Sequence, residues 1–134
     1  TDWAGANVEY RDATASFARP LPTRQMFPGS MPSEPDSEKG ARYARGYGTA
    51  MAWSFWSCAW QHAIISAAGH PTEARAALET YERGLADTQY QLFFPDNDGT
   101  FQQKVVSPAR LGDLAKMKSV YDTDCSWYRS QTGA

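Results

Sequence analysis

From Gly46 to Thr72 the chain carries no Asp, Glu, Lys or Arg. Inside that run, AMAWSFWSCAW (residues 50–60) holds three tryptophans, a phenylalanine, a methionine and one of only two cysteines. A stretch this apolar has to be covered by lipid, by a protein core or by a partner. Lipid is a poor solution, because Ser54, Ser57, Gln61, His62 and Ser66 interrupt the run. Polar side chains at that density are unfavourable near the middle of a bilayer without partners. No membrane span is expected in this chain, although an anchor upstream of it is compatible with the reading.

On a helical wheel, Trp53, Trp56, Trp60 and Ile64 form one stripe, and Met51, Phe55, Cys58 and His62 a second. Ser54, Ser57 and Gln61 make a narrow polar strip between them. A helix that is apolar over most of its circumference is central and covered on several sides. The expectation is a core helix over residues 41–68, firm from Tyr47. Trp53, Trp56 and Trp60 are the candidates for an interaction surface if they are exposed instead, against a protein partner or stacked on sugar rings.

Gly69 stops that helix and Pro71 suits the first turn of the next. Ala74, Leu78, Tyr81 and Leu85 recur at helical spacing in PTEARAALETYERGLADTQYQLFF, which Gly84 or Asp87 can break in two. The short turn makes the two helices antiparallel neighbours. After the turn FPDNDG, Thr100 and Gln103 have capping-box spacing for a helix over 101–107. A small β-hairpin over 88–106 competes, pairing Tyr90, Leu92 and Phe94 with Phe101 and Val105. Asp113 caps a helix carrying Leu114, Met117 and Tyr121, and Asp122, Thr123 or Asp124 caps a last turn holding Cys125, Trp127 and Tyr128.

Five of the eight prolines lie between Pro20 and Pro35. Proline removes a backbone donor and restricts its predecessor, so residues 1–40 read as an irregular arm. Its apolar bulk (Trp3, Tyr10, Phe17, Leu21, Met26, Phe27 and Met31) makes it a strap docked on a helical body at 41–134 rather than a linker. The fold class is therefore mostly α: an antiparallel helix pair, short C-terminal helices and a Pro-rich N-terminal strap, all in one domain.

Cys58 and Cys125 are expected to form a disulfide, and with it a place outside the cytoplasm, secreted or anchored at the cell surface. The start at Thr1 rather than a methionine fits removal of a leader, or excision from a longer protein. A composition rich in Arg and Ala and poor in Lys fits a GC-rich bacterial gene. The formal charge of −2 argues against nucleic acid as a partner.

Candidate chemistry is sparse. Cys58 and His62 share a helix face, and adding His70 and Cys125 writes a zinc set, but only one pair is tightly spaced. Asp96 and Asp98 flank a turn resembling part of a calcium loop. As an EF-hand it would place Phe94 and Val105 where ligands are needed, which leaves at most a weak surface metal site. Asp113, Asp122 and Asp124 suit capping better than paired acid–base work. Arg42 and Arg45, beside Tyr43 and Tyr47, read as a solvated face. No phosphate, dinucleotide or nucleophile-elbow motif is present, and no cofactor is implied. The expectation is a non-enzymatic structural or protein-interaction module, self-association included. The alternative is a cell-envelope ligand-binding or hydrolase domain using acidic residues.

Overall fold

The computed structural model describes all 134 residues. Its helices are α1 (Trp3–Ala15), α2 (Tyr47–Ser66), α3 (Pro71–Leu85), α4 (Thr88–Phe93), α5 (Ser107–Arg110), α6 (Ala115–Asp124) and α7 (Ser126–Thr132). There is no strand, so the hairpin considered for 88–106 is not formed. Asp87 accepts from Gln89 N–H at 2.9 Å and starts α4 in its place. Asp96 then caps a second helical stretch, accepting from Phe101 and Gln102 N–H at 3.0 Å each, which supplants the Thr100–Gln103 box. That stretch widens into a π-turn at Gln102–Val106, where Ser107 N–H bonds to Gln102 C=O. Pro108 explains the widening: a proline ring collides with the carbonyl four residues back, here Lys104, unless the turn opens.

The uncharged run forms α2, and the rest of the chain is arranged around it. Ala52, Trp53, Phe55, Trp56, Ser57, Cys58, Ala59, Gln61 and Ile64 are all buried. Trp56 and Ile64 pack with Leu78 and Tyr81 of α3, together with Val105, Val106 and Met117. Phe55 and Cys58 pack with Tyr121, Cys125 and Tyr128. Ala52 packs with Ala6, Tyr10 and Met31. Along the α2–α3 contact, Trp56 meets Gly84 while Gln61 further on meets Tyr81.

The expectation of an irregular arm over 1–40 fails for Trp3–Ala15, which is helical. Asp2 supplies its cap, accepting from Gly5 N–H at 2.9 Å, and no proline interrupts it. The remainder, residues 16–40, is the strap. It has no ladder to satisfy its carbonyls, and aromatic donors do so instead. Trp56 and Trp60 indole N–H groups both bond to Pro20 C=O, at 3.1 and 2.9 Å. Tyr10 O–H bonds to Pro28 C=O at 2.7 Å, and Trp3 N–H to Pro32 C=O at 3.0 Å. Phe17, Leu21 and Phe27 lie against the core clusters.

Two expected helix boundaries differ. Residues 41–46 precede the helix rather than belonging to it. Asp122, Thr123 and Asp124 form the last turn of α6, and α7 starts after Cys125 without a side-chain cap. Asp113 does accept from Ala115 N–H, at 3.2 Å, at the start of α6. No helix is long and apolar enough to cross a membrane.

Candidate ligand-binding cleft

The polar strip of α2 opens into a cleft of about 670 Å³ between α2, α3, α4, the 94–102 turn and α6. Ser54, Ser57 and Gln61 line its floor, and Leu85, Tyr90, Phe94, Phe101 and Val120 its walls. Each element delivers its part for a local reason. The strip stays polar because α3 faces it with a hydroxyl: Ser57 Oγ and Tyr81 Oη are 2.8 Å apart, and Gln61 Nε2 donates to Tyr81 Oη at 3.0 Å. Burying these groups is tolerable only because they bond to one another. Burial raises the Tyr81 hydroxyl well above its ordinary pKa, and Tyr90 is raised for the same reason, so both phenols stay protonated at neutral pH.

Cys58 and Cys125 are joined as a disulfide with Cα atoms 5.6 Å apart, and both border the cleft. Having formed this bond, the cysteines are not thiolates available to a metal. Gln61 Oε1 lies 3.7 Å from Cys125 Sγ, which has no proton to donate. This carbonyl oxygen is therefore short of a partner, in a residue only 4% exposed.

The remaining sequence candidates separate. Asp96 and Asp124 reach the cleft, joined there by Glu82 of α3, which the sequence did not single out; Asp98, Asp113 and Asp122 do not reach it. Asp96 spends both oxygens on backbone N–H groups, and Asp98 accepts from Thr100 N–H at 3.1 Å. Bonds from the Thr100 side chain and backbone hold the Asp98 carboxyl below its usual range. No three His, Cys, Asp or Glu side chains gather as a metal-ligating group. His62 Nδ1 is 3.4 Å from Tyr121 Oη, and His70 is exposed just before α3. Arg42 and Arg45 are exposed, and Tyr43 bonds instead to Glu34, at 2.8 Å. Trp53 and Trp56 are 1% and 0% exposed, and Trp60 is half-buried with its N–H on the strap. They make no exposed aromatic platform. Trp53 N–H bonds to Gln89 Oε1 at 2.8 Å, which ties α4 over the core beside the cleft.

Sequence reasoning isolated the polar strip but not the cleft, whose lining runs from Ser54 to Cys125 along the chain. The one available signal was three hydrogen-bonding side chains on one face of an otherwise apolar helix.

Comparison with protein-family models, with curated proteins and with solved structures gave no match to this chain.

Proposed function

We propose that this chain is a non-enzymatic binding module working outside the cytoplasm, and that it takes a small ligand in the α2–α3–α6 cleft. Its frame, in this reading, is an antiparallel helix pair wrapped by the N-terminal strap and braced at the C-terminal end by Cys58–Cys125. The observation that carries the proposal is the floor of the cleft: the Ser54–Ser57–Gln61 strip of the central helix opens into a concavity of about 670 Å³. Ligand sites are typically concave, largely apolar and furnished with a few convergent polar groups, at roughly 300–1,000 Å³. The disulfide supports the compartment, since such bonds persist in oxidising surroundings.

A hydrolase is the second reading, favoured by one observation: Glu82, Asp96 and Asp124 border the same cleft. The two occupied oxygens of Asp96 weigh against it as an acid or base. Fragment screening by ¹⁵N–¹H NMR on the oxidised protein tests the binding reading. Shifts should concentrate on Ser57, Gln61, Tyr90 and Phe101 and vanish in Leu85→Trp, which fills the cleft. Shifts confined to other surfaces would overturn it.

A further inference from the structure

We propose that the cleft selects a small organic cation, an ammonium or guanidinium group on a flat apolar body; this rests on the cleft being the binding site and adds the ligand's charge. The side chains that line it include Glu82, Asp96 and Asp124 but no Lys, Arg or His. Glu82 is paired with Arg110, and Asp96 is offset by the N–H groups it caps. Asp124 is exposed and has no ion-pair partner.

The backbone adds to the same sign. Two helices end at the cleft with no helix start against them: α3 at Leu85 and Ala86, and α4 at Phe94. Helix C-termini carry partial negative charge from unsatisfied carbonyls, so they favour cations. Of the two helix starts at the cleft, the one at Phe101 and Gln102 has its N–H groups already taken by Asp96, and the one at Cys125, where α7 begins, is set against the end of α6.

The second observation is independent of net charge. Gln61, 4% exposed and on the floor, directs Oε1 at a sulfur that has no proton. Turning the amide end for end would aim N–H at the same sulfur, a weak acceptor at a long 3.7 Å, so the end of the amide away from Tyr81 lacks a good partner either way. As placed, it wants a donor, which an ammonium or guanidinium N–H supplies. Gln61 and Asp124 both flank Cys125, so the charged head belongs at that end. Tyr90, Phe94 and Phe101 are then the wall for the flat body, and aromatic faces also attract cations. A bare metal ion is a poorer fit, since it needs several converging oxygens.

Benzylamine, benzyl alcohol and benzoate share one ring and differ in charge at neutral pH. Each is titrated into ¹⁵N-labelled oxidised protein, following the backbone amides of Ser57, Gln61 and Phe101. Benzylamine should bind at least threefold more tightly than benzyl alcohol, with benzoate weakest. Asp124→Asn should weaken benzylamine by about two- to fivefold, the range of a single exposed charge pair, and leave benzyl alcohol unchanged. Asp122→Asn, on the same helix but off the cleft, should change neither. Benzoate binding in the cleft as tightly as benzylamine would overturn the charge assignment and leave the cleft standing as a site. Failure of all three probes to move the cleft amides would overturn both.

Discussion

Gly84 and Gly48 show how closely α2 is covered. A Cβ added at Gly84 would lie 2.0 Å from Trp56 Cη2, and Trp56 is 0% exposed, so its ring has nowhere to go. A Cβ at Gly48 would lie 2.1 Å from Ala6 C=O and 2.6 Å from Tyr10 N, both backbone atoms of α1. Gly84→Ala gains roughly 0.5–1 kcal/mol of helix propensity. It loses more to overpacking, about 1–3 kcal/mol. We therefore expect a net loss of about 1–2 kcal/mol, read from the urea midpoint, and a larger loss for Gly48→Ala because a backbone must move. A Gly84→Ala protein as stable as its parent would show that Trp56 has room. Sequence logic treats Gly84 as a potential helix break, because composition does not reveal what sits opposite a residue. The break falls at Asp87, whose side chain starts α4 and pairs with Arg19 of the strap at 3.0 Å.

Between elements, the least expected partnership joins α1 and α2. The central helix has no side-chain cap of its own. Glu9 of α1 supplies one from outside, accepting from Gly46 N–H and Thr49 N–H at 3.0 Å each. Burial pushes the Glu9 carboxyl up, but the backbone bonds outweigh it, and the group is held below the ordinary 4.5. A depressed carboxylate contributes stability above its unfolded pKa and loses it as pH falls through its folded value. Glu9→Gln should cost about 1 kcal/mol at pH 7, as cap removal does. Its deficit should shrink as pH drops below 4.5, where the parent protonates as well; a gap constant from pH 7 to 3 would remove Glu9 from this role. The helices at 47–66 and 71–85 are legible because glycine and proline punctuate a sustained apolar pattern. Helix α1 is not, because it buries little more than Ala6 and Tyr10 and so carries no wide apolar stripe. The cleft is half legible: the floor is one helix face, whereas the walls require the path of the chain.

Across the whole molecule, Cys58–Cys125 closes a loop spanning 67 positions. Cross-linking so long a loop removes denatured-state entropy worth about 4 kcal/mol in the chain-entropy model. Small domains are stable by only about 5–15 kcal/mol in total, so this bond is a large share. Cys58→Ala/Cys125→Ala should lose about 4 kcal/mol in chemical denaturation. A loss below about 1 kcal/mol would mean the core holds the C-terminal helices unaided. The mostly helical class and the cysteine pairing follow from residue patterns alone. The strap's route does not, since it depends on which indole and phenol donors meet Pro20, Pro28 and Pro32. The all-round burial of α2 also has a kinetic side. Its coverings at Tyr81, Val105, Met117 and Tyr128 all follow it in the chain. At roughly 5–20 residues per second, the ribosome would release this tryptophan-rich rod several seconds before Cys125 emerges. For that interval the nascent chain is a natural client for holding chaperones, and the Cys58–Cys125 bond cannot form until Cys125 has emerged.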